Sequence, residues 1–199
     1  MQEYFADLLK KAISHERIGA YRQQGTKGDD SNLFAHYLWN IVLCESLYAA
    51  LQGLEVTLRN AIHDAFTQQW NTEQWYDIDD MLGSNERYKI RKAKQKLTNT
   101  NKAHDPGKVI AELNFGFWTS LFDTRYETHF WHKLLKEVLP NMPKKERKRS
   151  TLSKRLNKVR RLRNRVFHHE PIWYWKDLKQ QHEMIVETTA WVNPAMSKL

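Results

Sequence analysis

The chain has 199 residues, a formal net charge of +9 and a single cysteine, Cys44. One cysteine excludes an intrachain disulfide framework and a zinc site built from cysteines. The excess of lysine and arginine favours an anionic partner, nucleic acid above all. Only seven glycines and five prolines are present, which argues against a β-rich architecture with many turns.

The N-terminal sequence and the distribution of apolar residues predict a cytosolic protein. Residues 1–16 contain early acids and lack the apolar core of a signal peptide. No run of 18 uninterrupted apolar residues occurs, so we expect no membrane-spanning helix. With 41% hydrophobic residues the chain can fill one large core, and a single domain over residues 1–199 is the simplest expectation.

Apolar residues recur every three or four positions along most of the chain, which is the spacing of helices. The pattern predicts a helix over residues 2–23 and, after a loop over 24–31, a long helix over 32–70. Gly53 is the one point at which the long helix can divide into two. A connector over 76–85 then leads to a polar, basic surface helix over 86–104.

The second half of the chain continues in the same way. Pro106 suits the first turn of a helix, and we expect that helix to include the strongly apolar residues 113–122. Further helices are expected over 125–140, from there to His169 with Pro171 closing the helix, and over 174–191. No alternation typical of strands competes with this pattern, so the predicted fold is all-α.

The segment 144–165 is the most basic part of the chain, with twelve lysines and arginines in 22 residues against one acid, Glu146. An excess of one sign favours a nucleic-acid-binding face over an ordinary solvated surface. The residues that we predict to contact RNA phosphates are Lys154, Arg155, Lys158, Arg160, Arg161 and Arg165.

One arginine of this segment lies on the apolar side of its helix. At about 100° per residue, the buried stripe consists of Leu152, Leu156, Val159, Leu162 and Val166. Arg163 falls within the stripe, about 20° from Leu152, and a buried guanidinium needs a partner. Asn164 and His168 are four residues apart and share a neighbouring face. An isolated arginine would indicate a structural ion pair, whereas these three residues together indicate a functional site.

A second group of the same residue types lies in the long helix. Glu55 and Arg59 are four residues apart near its apolar side, and we expect them to pair with each other or with a neighbouring helix. Asn60 and His63 complete the group. A structural role is the favoured interpretation, and a supporting role in a catalytic site is the alternative.

Other chemistries find little support in the sequence. His129 and His132 are three residues apart, but no third helical ligand is evident, so we expect no metal site and no cofactor. No glycine-rich phosphate loop precedes a helix. The aromatic run 173–175 can stack on unpaired bases, although packing inside the protein is the favoured interpretation.

Three blocks of sequence follow one another along the chain: HYLWNIVLCESLYAALQGLEVTLRNAIHDAF, LNFGFWTSLF and LRNRVFHHEPI. In the last block a polar residue directly follows an arginine, and a histidine stands five positions after that arginine. Over about residues 30–190 the chain resembles the Abi-like (abortive infection) proteins of bacteria, members of the HEPN superfamily. The superfamily motif corresponds to Arg163, Asn164 and His168 of this sequence.

The resemblance implies a HEPN-like helical bundle with additional N-terminal and peripheral helices. It also implies metal-independent cleavage of RNA to a 2′,3′-cyclic phosphate and a 5′-hydroxyl, in phage defence or as a toxin-like effector. The motif helices of a homodimer would form one composite site, in which Arg163 holds the phosphate, Asn164 orients and His168 exchanges protons. An antitoxin or regulatory partner is compatible with this role.

Two alternatives stay open in this interpretation. His169 offers a second motif spacing, so either histidine is a candidate for the catalytic one. Members of the superfamily also bind RNA without cutting it, and the alternative function is a non-catalytic RNA-binding or protein-interaction module on the same scaffold.

Overall fold

A computed structural model describes residues 2–25 and 28–198 of the chain. Within these ranges the secondary structure is helical and contains no strand, which confirms the all-α prediction. The α-helices are α1 (Gln2–Ile13), α2 (His15–Gln23), α3 (Asp30–Trp70), α4 (Ser84–Asn99), α5 (Pro106–Glu112), α6 (Phe115–Ser120), α7 (His132–Val138), α8 (Arg149–Phe167) and α9 (Leu178–Val192). Short 3-10 segments occur at Trp75–Asp77, Thr124–Tyr126 and Met196–Lys198.

The predicted helix over residues 2–23 is divided in the structure. Ser14 has a left-handed backbone with φ of 83°, and it separates α1 from α2. Its hydroxyl accepts a hydrogen bond from the backbone N–H of Arg17 at 3.3 Å. Serine is a preferred N-cap because it satisfies an N–H that has no partner within the helix, and this local bond favours a new helix start over one continuous helix.

The long third helix is continuous, so Gly53 does not divide it. A Cβ atom at Gly53 would meet nothing within 4 Å, and the backbone there is part of α3. A glycine inside a helix costs about 1 kcal/mol relative to alanine, and 41 residues of helix tolerate that cost.

The predicted helix that starts at Pro106 ends earlier than expected. Pro106 begins α5 as predicted, but Leu113 has an extended ψ of 125° and ends the helix. The side chain of Asn114 caps α6 by accepting from the N–H of Phe117 at 3.0 Å, so the apolar residues 113–122 belong to a separate short helix. The capping asparagine explains the break.

The helix predicted over 125–140 is also irregular. It begins as a 3-10 turn, passes through a π-helical turn at Glu127–Trp131 and becomes regular only in α7. The last helix starts at Leu178 instead of residue 174. Element boundaries are the features that periodicity predicts least well.

The chain divides into two compact units. The first consists of residues 1–49 and 161–182, and the second of residues 50–160 and 183–199. Helices α3, α8 and α9 contribute residues to both units. The single domain over 1–199 stays a prediction, as does the HEPN-like arrangement of the bundle.

The second unit has an aromatic core. The ring of Phe66 contacts those of Trp75 and Phe130, with centroids 4.9 and 4.8 Å apart, and Trp131 stacks on Phe122 at 4.0 Å. The buried carboxylate of Glu86 accepts hydrogen bonds from Tyr126 and Arg125 in the same unit. A buried charge of this kind is tolerated because it is paired and hydrogen-bonded.

The first unit has a smaller core and a more apolar surface. One cluster of its core consists of Ile18, Tyr21 and Leu33, against which Ile13, Phe34, Tyr37 and Trp173 pack. Eight large hydrophobic side chains of this unit are exposed: Tyr4, Phe5, Leu8, Leu38, Trp39, Ile41, Val42 and Tyr48.

Helix α3 has the length and hydropathy of a membrane-spanning helix, although no uninterrupted apolar run in the sequence indicates one. Its most apolar 18 residues have a mean hydropathy of 1.4, and 28% of them are buried. Core helices of soluble proteins meet the same two criteria, so length and composition alone do not place α3 in a membrane.

Candidate functional site

The apolar stripe predicted for the basic helix is buried in the structure. Its five residues, Leu152, Leu156, Val159, Leu162 and Val166, are each at most 3% exposed. Arg163 is half-buried beside them. Its guanidinium carbon lies 4.1 Å from the ring centroid of Phe167, four residues further along α8, which is a cation–π geometry. The apolar side of α8 thus holds Arg163 against an aromatic ring.

The phenyl ring under Arg163 is itself fixed by α3. Phe167 stacks on Tyr48 with ring centroids 5.1 Å apart and an interplanar angle of 25°. Offset stacking of this kind restrains the ring beyond the burial of its area. Arg163, Phe167 and Tyr48 therefore form one set of stacked groups within the first unit.

The two histidines lie where α8 ends. The backbone N–H of His169 donates to the carbonyl of Val166 at 3.2 Å, and that of Glu170 donates to Arg165 at 2.9 Å. His169 has φ of 55°, which is the left-handed conformation of a helix C-terminus closed by this pair of bonds, the Schellman motif. His168 is the last residue before that turn, and its N–H donates to the carbonyl of Asn164 at 2.9 Å.

Two residues that the sequence did not single out hold this turn in place. Arg17 of α2 donates from Nη1 to the carbonyls of His168 and His169, at 3.4 and 3.0 Å. Asn40 of α3 accepts from the N–H groups of Ile172 and Trp173, at 2.7 and 3.2 Å.

Asn40 also donates to the carbonyl of Glu170 at 3.3 Å. It is only 2% exposed, and a polar residue within an apolar stretch of α3 was the one sequence signal that could have indicated it.

The side chains of the motif differ in accessibility. Asn164, His168 and His169 are exposed, whereas Arg163 is half-buried. The exposed imidazoles and the amide can therefore reach a bound molecule without a change in the backbone. Arg163, Asn164 and His168 thus follow one another within six residues at the end of α8.

The six predicted phosphate contacts are not equivalent. Lys154, Lys158 and Arg161 are exposed. Arg155 pairs with Glu187 at 2.5 Å and lies over the ring of Trp191 at 4.0 Å. These interactions fix Arg155 within the second unit.

Arg160 and Arg165 are also engaged. Arg160 donates from Nη2 to the side-chain oxygen of Asn157 at 3.2 Å. Arg165 pairs with Glu170 at 3.1 Å and lies 5.5 Å from the ring centroid of Trp175. A phosphate would have to compete with Glu170 for Arg165 and with Glu187 for Arg155.

The second arginine–asparagine–histidine group belongs to the second unit. Arg59 donates from Nε to the side chain of Asn60 at 3.2 Å, and Glu55 is half-buried nearby on the same helix. The indole N–H of Trp75 donates to Nδ1 of His63 at 3.1 Å, and burial lowers the pKa of His63. An imidazole held neutral as a hydrogen-bond acceptor has a structural role, which favours that interpretation for His63.

An open groove of about 1030 Å³ lies in the first unit beside the end of α8. Its walls are mainly apolar and come from α1, α2, α3 and α8, with polar groups from Arg17, Asn40, Glu45 and His169. Burial raises the pKa of the Cys44 thiol in its wall, which disfavours the nucleophilic thiolate. The groove has the size and lining of a binding site and offers no activated cysteine.

Metal ligands do not cluster in the described part of the chain. Over residues 2–25 and 28–198, no group of three or more histidine, cysteine, aspartate or glutamate side chains is placed to hold an ion. Comparison with known proteins adds no assignment, because no family model, no curated protein and no solved structure matches this chain.

Proposed function

We propose that the chain is a metal-independent endoribonuclease of the HEPN type, acting in bacteriophage defence or as a toxin-like effector. The observation that carries the proposal is the end of α8. There a guanidinium held on an aromatic ring, an exposed amide and an exposed imidazole lie within six residues. An imidazole suits the proton transfers of phosphodiester cleavage through a ribose 2′-hydroxyl, and hydrogen-bond donors suit the charge that develops on the phosphate.

The proposed reaction is an internal transfer of the phosphoryl group. An imidazole accepts the proton of the 2′-hydroxyl, and the 2′-oxygen bonds to phosphorus. The bond from phosphorus to the 5′-oxygen breaks as the imidazolium returns that proton to the 5′-oxygen. The products are a 2′,3′-cyclic phosphate and a 5′-hydroxyl. Imidazole suits both proton transfers because it changes charge near neutral pH, and His168 is the proposed residue.

The other two motif residues act on the phosphate. Arg163 can donate two parallel hydrogen bonds to phosphate oxygens and stabilise the charge that develops on them. Its contact with Phe167 leaves the guanidinium plane ordered before RNA binds. Asn164, one turn before His168, is placed to orient the imidazole or the phosphate.

We propose that two copies of the chain supply one composite site, each through its α8. The exposed apolar side chains of the first unit support an interface on that unit, because large exposed apolar patches mark interaction sites. If this is right, the protein sediments as a dimer at micromolar concentration. A strict monomer that still cleaves RNA would rule out the composite site.

A non-catalytic binding module is the second candidate, and the groove beside His169 favours it. A largely apolar groove of about 1030 Å³ can hold a small molecule or a segment of a partner, such as an antitoxin. In that case, RNA binding through α8 or partner binding would be the whole activity.

Cleavage of RNA by the purified chain in excess chelator tests the proposal. We expect Arg163→Ala and His168→Ala each to retain RNA binding and to lose about 10²–10⁴-fold in cleavage rate. Arg22→Ala is the matched control, because it removes an exposed arginine that is not among the predicted RNA contacts, and we expect less than a threefold loss. No cleavage of any RNA would favour the binding module. Full activity of both motif variants would exclude Arg163 and His168 as the residues of the reaction.

Salt dependence tests the basic face separately. If Arg155 and Arg165 stay in their ion pairs, at most four of the six predicted phosphate contacts form. The contacts of α8 should then contribute no more than about 2.8 to the magnitude of the slope of log affinity against log salt concentration for single-stranded RNA. Binding that does not change with salt would exclude α8 as the RNA-binding face.

A further inference from the structure

Tyr88 of α4 is the one large hydrophobic side chain exposed in the described part of the second unit. It is 49% exposed, although the other aromatic side chains of this unit form a compact core. A single exposed ring is ordinary at a protein surface. Tyr88 therefore bears on function only through the side chains that surround it.

Helical geometry places Tyr88 on a face that is separate from the buried side of α4. The buried residues of α4 are Glu86, Ile90, Ala93 and Leu97, which follow the three-to-four spacing of one face. The exposed residues of the same helix include Arg87, Tyr88, Arg91, Lys92, Gln95 and Asn99. The exposed face thus combines one aromatic ring, three cations and two amides.

The charges around Tyr88 are not neutralised by nearby acids. Helix α4 has a single acid, Glu86, which is buried and bonded to Arg125 and Tyr126. Within the described residues, Lys94 pairs with Asp77 and Lys96 with Glu112.

The three cations of the exposed face differ from these paired lysines. Arg87, Arg91 and Lys92 have no carboxylate partner among the described side chains. Arg91 and Lys92 lie 5.6 and 5.7 Å from the centroid of the Tyr88 ring.

We propose that the exposed face of α4 binds single-stranded RNA, with Tyr88 stacking on a base and Arg87, Arg91 and Lys92 contacting phosphates. Surfaces that bind single strands combine cations along the backbone path with aromatic rings for the bases. Duplex RNA does not fit this face, because its bases are already stacked inside the helix. A protein partner fits less well, since one tyrosine among cations offers little apolar area to bury.

This surface extends the proposed function to a substrate class but does not depend on cleavage. It shares with the proposed function only the assumption that RNA is the ligand. Binding can therefore be measured with the full chain carrying His168→Ala, so that no substrate is consumed during the measurement.

The first test measures the affinity of that chain for a fluorescent single-stranded oligouridine of about 12 nucleotides, within the range of single-strand site sizes. Loss of one stacked base should weaken binding about tenfold in Tyr88→Ala, while Tyr88→Phe keeps the ring and should stay within about twofold of the parent. His132→Ala removes an exposed aromatic ring of the second unit that lies outside α4 and should not change the affinity. Duplex RNA of equal length should be insensitive to Tyr88→Ala.

The second test concerns charge. In the double variant Arg91→Ala/Lys92→Ala, the negative slope of log affinity against log salt concentration should become shallower by about 1.4 for single strands. The matched control is Lys133→Ala/Lys136→Ala, which removes two exposed cations from α7 in the same unit. We expect the control to change the slope by less than half as much.

Three results would overturn the inference. Two of them are an unchanged RNA affinity in Tyr88→Ala and equal salt slopes for the two double variants. The third is a change in oligomeric state in Tyr88→Ala, which would assign the ring to a protein contact. The proposed function fails in a different way. If the wild-type chain cleaves no RNA but Tyr88→Ala still weakens single-strand binding, the α4 surface stands and the ribonuclease does not.

Discussion

The two compact units bury their aromatic side chains to very different extents. In the second unit Phe66, Trp75, Trp118 and Trp131 are each at most 2% exposed, and their rings contact one another edge to face or stacked. In the first unit Trp39 is 53% exposed, along with seven other large hydrophobic side chains.

This difference bears on stability and on the proposed site. Burial of apolar area is the main stabilising contribution to a fold, so the second unit contains the larger part of the stabilising contacts. The first unit contains the end of α8 with Arg163, Asn164 and His168, together with the open groove. Functional groups occur in the less completely packed part of a protein, where surfaces remain available to ligands and partners.

The largest expected effect is on the stability of the second unit. Trp118→Ala should lower the free energy of unfolding by about 3–5 kcal/mol, because it removes a fully buried aromatic side chain and leaves a cavity. Trp39→Ala in the first unit should change it by about 0.5 kcal/mol or less, since that ring is half exposed. Urea unfolding of the two variants measures both values. Equal losses would show that Trp39 is buried in the protein as it exists in solution.

A smaller effect is expected at the bonds that fix the end of α8. Arg17→Ala should destabilise by about 1–2 kcal/mol, because the carbonyls of His168 and His169 lose a charged donor. It should also raise the hydrogen-exchange rate of the amides at residues 168–170. Arg22→Ala is the control from the same helix, since its pair with Asp30 is on the surface and should contribute less than about 1 kcal/mol.

If Arg22→Ala speeds exchange at residues 168–170 as much as Arg17→Ala does, the turn is held by α2 as a whole. A specific contribution of Arg17 would then be excluded.

The sequence predicted the helical fold and the buried stripe of α8 because both depend on periodicity alone. It did not predict the breaks at Ser14 and Leu113, where single capping bonds end one helix and begin another. It placed Arg163, Asn164 and His168 near one another because positions within one helix have a known geometry, and their functional role stays a prediction. It could not indicate Arg17, whose partners are 151 and 152 residues away along the chain.

The pH dependence of stability should come from the second unit as well. Burial lowers the pKa of His63 below its ordinary value of 6.5. The unfolded chain therefore takes up a proton before the folded chain does as pH falls. The stability that depends on neutral His63 is fully present above about pH 6.5 and is lost as pH falls through the lower folded pKa.

Urea unfolding between about pH 5 and 8 measures this loss. His63→Gln keeps a hydrogen-bond acceptor for Trp75 and should flatten the dependence. His168→Gln, which replaces an exposed imidazole of the first unit, is the control and should leave it unchanged. A pH dependence that survives in His63→Gln would assign it to another group.

The smallest expected effect distinguishes the two adjacent histidines of the first unit. His169 occupies the left-handed position that ends α8, with φ of 55°, where a side chain with a Cβ is strained by about 1 kcal/mol and glycine is not. His169→Gly should therefore be more stable than His169→Ala by about 1 kcal/mol, despite the greater freedom of glycine in the unfolded chain. Thermal unfolding of the two variants measures the difference.

If His168 is the catalytic residue, both variants should retain cleavage within about threefold, whereas catalysis by His169 would cost each of them about 10²–10⁴-fold. A loss of activity in His169→Ala alone, recovered in His169→Gly, would mean that the backbone turn positions His168 and that the imidazole of His169 has no part in the reaction.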